Sequence, residues 1–236
     1  MTDLFADANE PSRPLADRMR PRSLDEFHGQ AHLTGEGQPL AHALRSGRVH
    51  SMILWGPPGT GKTTLARLVT ATADANFIAL SAVMAGVKDV RAAIAEAEQV
   101  RHSSGRRTVL FLDEVHRFNK AQQDVLLAPL EDDVVTMIGA TVENPFFYLN
   151  HALLSRVQVF ELRPLGEGEI SDILDRALSD RDRGLGDYKV ELTPEARAHL
   201  VENCLGDARK ALSALELAVL STPPDMSGLI RVGIDA

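Results

Sequence analysis

Apolar positions along the chain follow two rhythms. Met52-Ile53-Leu54-Trp55, Phe77-Ile78-Ala79-Leu80, Val109-Leu110-Phe111-Leu112, the stretch 135–140 and the stretch 157–162 are mainly apolar and read as strands. The continuous run 109–112 suits a strand buried on both faces of a parallel sheet. Between them the spacing turns helical. Residues 64–69 and 121–130 read as helices, and across 88–101 the residues Val90, Ala93, Ile94, Ala97 and Val100 fall on one helical face. Residues 40–44 read as a short helix leading toward the first strand. Strand–helix alternation predicts an α/β domain over residues 15–164, with a five-stranded parallel sheet flanked by helices. The strand 135–140 is expected between the strand 51–55 and the strand 109–112.

After Pro164 the rhythm changes. Gly166 and Gly168 mark a linker. Helices are then predicted over 169–182, 193–205 and 207–221, with Thr193 and Asp207 as N-caps and Pro194 at a first helical position. Residues 165–236 are therefore expected to form a small all-helical lid domain. The run Ile230-Arg231-Val232-Gly233-Ile234 has no partner in this scheme, which suggests a chain cut short. Residues 1–14 are polar and are predicted to be a flexible arm. The Leu4-Phe5 pair within it is either a docking peptide or part of a plain tail.

Composition narrows the possibilities. Of 236 residues, 44% are hydrophobic and 25% charged, which is ordinary for a globular chain with a real core. Cys204 is the single cysteine, so an intrachain disulfide and a thiolate metal cluster are excluded. No signal peptide or membrane-length apolar run is present, and the expectation is a soluble cytoplasmic protein without a membrane partner. The formal net charge of −8 means that nucleic-acid contact requires a local basic patch or a surface built from several subunits.

One stretch carries specific chemistry. Gly56-Pro57-Pro58-Gly59-Thr60-Gly61-Lys62-Thr63 fits G-x-x-x-x-G-K-[ST], between a predicted strand and a helix opening at Thr64. Glycines let successive backbone N–H groups curl around a phosphate chain. Lys62 is placed to reach the β- and γ-phosphates and the Thr63 hydroxyl to ligate Mg²⁺. At the tip of the strand 109–112, Asp113 is assigned to the Mg²⁺ water shell and Glu114 to the attacking water. A general base aimed at water favours nucleotide hydrolysis over phosphoryl transfer to a metabolite. Thr141, closing the fourth strand, and Asn144 just beyond are alternative contacts for the γ-phosphate or the water. Arg156 reads as an arginine finger or as a surface arginine. Arg209 lies in the first turn of a helix, a poor place for a cation unless it senses phosphate.

With these residues in hand, the chain resembles the AAA+ ATPases and, within them, the replication-associated recombination protein A family (RarA/MgsA). That family is related to the eukaryotic Werner-helicase-interacting ATPase. Beyond the P-loop, the resemblance rests on Pro14-Leu15-Ala16-Asp17-Arg18-Met19-Arg20-Pro21, Asp113-Glu114-Val115-His116-Arg117-Phe118-Asn119-Lys120, Ile138-Gly139-Ala140-Thr141, Glu143-Asn144-Pro145, Leu153-Leu154-Ser155-Arg156 and Gly206-Asp207-Ala208-Arg209-Lys210-Ala211-Leu212. It implies Walker A at 56–63, Walker B at 109–114, sensor 1 near Thr141, an arginine finger at Arg156 and sensor 2 at Arg209. Residues 18–30 resemble the segment that closes over adenine in clamp-loader-like members. The chain departs from the family at Val142, where a threonine is usual. The resemblance further implies ATP and Mg²⁺ as cofactors, and single-stranded, gapped or forked DNA, single-strand-binding protein and replisome components as partners. It also implies a homo-oligomer built by a further C-terminal region, and a nucleoid-associated location. Lys88, Arg91, Arg117 and Lys120 are candidates for a basic DNA lining. The rival readings are a clamp-loader subunit or branch-migration motor, and a nucleotide-gated binding module without turnover.

Overall fold

The five apolar runs become five parallel strands. The structure, a computed structural model, describes residues 13–234. The predicted arm and its Leu4-Phe5 pair lie outside the described residues, Arg13 and Pro14 excepted. The chain divides into two compact units: residues 30–57 with 61–163, and the described residues through Gly29 with 58–60 and 164–234.

In the first unit the strands are β1 (Met52–Trp55), β2 (Asn76–Ser81), β3 (Thr108–Asp113), β4 (Thr136–Thr141) and β5 (Gln158–Glu161). Their order is β2-β3-β4-β1-β5, all parallel, so β4 lies between β1 and β3 as predicted. Leu54 pairs with Ala140, and Leu112 with Gly139. A Cβ on Gly139 would lie 2.6 Å from Ile53 Cδ1 and 3.2 Å from Val115 Cγ1, so a larger residue at this central position would force those side chains to shift. The helix Val87–Ser104 buries Val90, Ala93, Ile94 and Ala97 against the sheet, the face predicted from their spacing. The helix expected over 121–130 is two short ones, Lys120–Asp124 and Leu127–Glu131. Pro129 is the reason: it has no N–H for the Val125 carbonyl, and its ring would crowd that group in a continuous helix.

The second unit is not all-helical. Beside the helices Glu167–Ser179, Pro194–Asn203 and Ala208–Ser221, β6 (Lys189–Leu192) and β7 (Leu229–Val232) form a parallel ladder. The run that had no partner in the sequence therefore has one, and it buries Ile230 and Val232 in this unit's core. The four-residue β6, with lysine and glutamate on its exposed face, is too short and too polar to announce itself. The N-caps are as predicted: Thr193 accepts from Ala196 N–H, and Asp207 from Lys210 N–H.

Residues 15–29 belong to this unit rather than to the α/β unit, which corrects the predicted boundary at residue 15. Leu15 and Met19 are buried in the helical core. Leu15 N–H donates to Glu216 (2.8 Å), and Arg18 pairs with Glu216 (3.2 Å) while donating to the carbonyl of Arg183 (2.7 Å). Further on, Glu26 pairs with Arg176 (2.6 Å), receives both Arg183 terminal nitrogens at 3.2 Å, and accepts from Arg22 N–H (2.9 Å). Burial by itself would raise the Glu26 carboxyl, but the hydrogen bonds and charges of Arg176 and Arg183, with the Arg22 N–H, outweigh it and hold the group down from 4.5 to about 2. A depressed carboxyl stabilises the fold above its unfolded value and loses that contribution as pH falls through its folded value. Glu26→Gln is thus expected to lower the stability of this unit at neutral pH by on the order of 1–2 kcal/mol, discounted for partial exposure. In thermal melts the gap to the wild type should narrow as pH drops from 4.5 toward 2; a gap independent of pH would contradict the assignment.

Candidate functional site

β1 runs directly into Gly56, whose N–H donates to the Thr141 carbonyl (3.1 Å). This bond ties the start of the loop to the end of β4. Gly56 has φ +148°, and a Cβ there would collide with the Leu162 carbonyl. Gly59 has φ +70°, and a Cβ there would collide with the Asp207 carboxylate, which belongs to the same compact unit. Asp207 is the cap of the helix carrying Arg209, so the tip of the loop meets the cap of that helix. Pro57 and Pro58 are exposed, and Thr60 is buried. The loop ends at Gly61, the N-cap of the helix Lys62–Thr72, and no side chain caps that helix. Its first-turn N–H groups, among them those of Thr63 and Thr64, are the donors that an anion satisfies at a helix N-terminus. Lys62 Nζ lies within the loop, donating to the carbonyls of Gly56 (2.7 Å) and Pro57 (2.8 Å). A phosphate chain fits this arrangement: a glycine-rich backbone turn, a helix N-terminus and one ammonium.

The acidic pair stands at the carboxyl end of the buried β3. Asp113 is half-buried. Glu114 has left-handed backbone angles (φ 55°, ψ 43°), an uncommon conformation for a residue with a side chain. Its carboxylate Oε2 lies 3.3 Å from His116 Nδ1. The same nitrogen lies 2.9 Å from the hydroxyl of Thr141. That hydroxyl also accepts from Glu143 N–H (3.0 Å) and donates to the Glu143 carbonyl (3.2 Å). Thr141 is buried, and its hydroxyl is fully engaged within the protein. Asn144, partly exposed, uses Oδ1 to cap the short helix Pro145–Tyr148 by accepting from Phe146 N–H (3.1 Å). Among the described residues its Nδ2 has no hydrogen-bond partner. No cluster of three or more His, Cys, Asp or Glu side chains fit to hold a metal occurs among the described residues. One hydroxyl (Thr63) and one carboxylate (Asp113) suit Mg²⁺, which takes its remaining ligands from water and substrate phosphates rather than from a protein cage.

Arg156 follows the short helix His151–Leu154. Its guanidinium pairs with Glu131 and donates to the Ala152 carbonyl (2.6 Å) and to Ser155 Oγ (3.0 Å). No P-loop residue is among its partners. The segment that bears it is fixed by the buried Gln123, which donates to the carbonyls of Phe118 (2.9 Å) and Tyr148 (3.0 Å) and accepts from Asn150 N–H (2.8 Å). Arg209 is exposed in the first turn of the helix Ala208–Ser221. Lys88, Arg91, Arg117 and Lys120 are all exposed. His116, Gln123 and Glu131 were not singled out from the sequence. His116 had one signal, its position next but one to Glu114; Gln123 and Glu131 had none, since Tyr148 and Asn150, which Gln123 joins, and Arg156, which Glu131 pairs, lie 25 or more residues away.

The family model for ATPases associated with various cellular activities (AAA) matches residues 52–165. The chain is 49% identical over 229 residues to replication-associated recombination protein A of Escherichia coli K12, covering 97% of this chain and 51% of that protein. It is 43% identical over 223 residues to the protein of the same name from Bacillus subtilis, covering 94% of this chain and 52% of that protein. The chain thus spans about half the length of the curated relatives it matches. Among solved structures it is similar to the Thermotoga maritima RuvB Holliday junction branch migration motor, with a TM-score of 0.72 and 30% identity over 92% of this chain and 70% of that one.

Proposed function

The chain belongs to the AAA+ ATPases, in the family of replication-associated recombination protein A, and from that premise we propose that it hydrolyses ATP, with Mg²⁺, at interfaces between copies of itself. The observation that carries hydrolysis over binding alone is Glu114: a carboxylate at the tip of a buried strand, next to Asp113 and 3.3 Å from His116. Backbone donors of residues 59–64 and the ammonium of Lys62 hold the phosphates, Lys62 exchanging its two loop carbonyls for phosphate oxygens. Thr63 and Asp113 would hold Mg²⁺, which when bound would offset the phosphate charge. Glu114 takes the proton of the attacking water. Asn144 offers a free amide donor, so it is the better γ-phosphate sensor, and Thr141 supports it from behind. Arg209 senses phosphate from its helix N-terminus.

The work served is maintenance of replication forks on single-stranded, gapped or forked DNA, alongside single-strand-binding protein and replisome components, in the cytoplasm at the nucleoid. The exposed Lys88, Arg91, Arg117 and Lys120 provide local positive charge on an acidic chain. Branch migration is the second reading, favoured by the likeness to the RuvB motor. The ATPase rate with single-stranded, forked and four-way-junction DNA separates them: the strongest stimulation by junctions would favour the motor.

Lys62→Ala should weaken ATP binding tenfold or more, since a charge-assisted phosphate contact contributes about 1.5–3 kcal/mol. An unchanged affinity in a titration would remove the phosphate site from this loop.

Glu114→Gln should bind ATP nearly as the wild type does and turn over about 10²–10⁴-fold more slowly. Normal turnover would place the base elsewhere.

Arg156 is proposed to act on the nucleotide of a neighbouring copy, where an arginine contributes ~10³–10⁵ in rate. Arg156→Ala should bind ATP yet barely hydrolyse it, and wild-type turnover per chain should rise with protein concentration. Mixing Arg156→Ala with Glu114→Gln should restore part of the activity, because some interfaces then join an intact Glu114 to an intact Arg156. If subunits exchange and the mixture stays dead, the finger does not act in trans.

A further inference from the structure

The His116 side chain lies against both the expected general base and the strand end expected to support phosphate sensing. Its side chain is 7% exposed, and Nδ1 faces Glu114 Oε2 at 3.3 Å and Thr141 Oγ1 at 2.9 Å. Its ring meets Tyr148 edge-on at 5.7 Å. Tyr148 is held through Gln123 to Asn150, the cap of the short helix that ends just before Arg156. Hydrogen-bond accounting selects one tautomer. The Thr141 hydroxyl has a single proton, and the Glu143 carbonyl can take it; the oxygen then accepts from Glu143 N–H and has a lone pair left. A protonated Nδ1 satisfies that lone pair and the Glu114 carboxylate together. A bare Nδ1 would instead set its own lone pair against the carboxylate.

We propose that His116, as the Nδ1–H tautomer, is a positioning residue that ties the Glu114 carboxylate to Thr141 and so fixes where the base stands when water is attacked. This rests on the reading of Glu114 as the base. Glu114 needs such a tether because its left-handed backbone is strained and its side chain is one-third exposed. His116 touches no P-loop residue among those described, so its removal acts on turnover and not on nucleotide affinity. The same histidine joins the base to the segment leading to Arg156 through Tyr148, so base and finger share one support.

The test uses the wild-type chain with Glu114→Gln, His116→Ala and His116→Asn. Asparagine places an amide N–H donor close to the position of Nδ1. His116→Ala should lower turnover at saturating ATP by about 10–100-fold with ATP affinity unchanged within about twofold, and His116→Asn should recover most of the loss. Unchanged turnover in His116→Ala, or a parallel loss of affinity and melting temperature in both His116 variants, overturns the proposal. If Glu114→Gln keeps full turnover, the base assignment fails separately. The ring then decides the tether by itself. With the imidazole in its neutral form, ¹⁵N spectra should show His116 protonated at Nδ1, with a resonance that moves in Glu114→Gln. Protonation at Nε2, or a resonance indifferent to Glu114→Gln, overturns the proposal whatever the turnover.

Discussion

Backbone pairing of β4 with both β1 and β3 is the constraint on which the site depends. In a parallel sheet all carboxyl ends emerge at one edge, so the order β3-β4-β1 brings the Asp113-Glu114 tip, Thr141 and Gly56 to the same edge. A slip of one residue would turn every side chain to the other face and withdraw Thr141 from His116. Gly139 guards the register. It lets Ile53 and Val115 close over the middle of the sheet, where an added methyl group would force the Ile53 side chain to shift. The Gly56 N–H bond to the Thr141 carbonyl then carries the pairing past the last strand residue and into the phosphate loop.

At that edge the regular ladder ends and polar groups need other partners. The structure answers with side chains. Thr141 satisfies both backbone groups of Glu143, His116 bridges Thr141 and Glu114, and Gln123 gathers the carbonyls of Phe118 and Tyr148 with the N–H of Asn150. The left-handed turn at Glu114 is the point where strain is stored, and the dense bonding around it is what allows that strain to persist. Among the described residues the Asn144 amide nitrogen keeps a donor, and Gly61, which opens the helix behind the phosphate loop, brings no side chain to cap it.

In the other unit a different physics dominates. Leu15 and Met19 complete a helical core that would otherwise be open, and Glu26 collects two arginines and a backbone N–H. The residues after the N-terminal arm thus serve as a strap on the helices rather than as the first part of the α/β sheet. Gly59 at the tip of the phosphate loop lies against Asp207, the residue that also caps the helix bearing Arg209. One carboxylate therefore sets both a helix start and the close approach of the loop.

The α/β rhythm, the five strands, the phosphate loop, the acidic pair and the two N-caps were legible in the chain itself, because each is written in adjacent residues: apolar runs, glycine spacing, or a capping residue followed by a helix. What the chain did not disclose depends on partners far apart. β6 and β7 are each only four residues long, and neither is a convincing strand until the other lies beside it. The break at Pro129 is local, a single proline inside an otherwise helical pattern. Residues 15–29 had no local mark of the unit they join, since Leu15 and Glu26 find Glu216, Arg176 and Arg183 some 150 to 200 residues away. The engagement of the Thr141 hydroxyl, the Glu131 partner of Arg156 and the bridging role of His116 are likewise products of folding. A sequence can name a side chain able to donate or accept, but only the tertiary structure decides which of its hydrogen bonds are already spent.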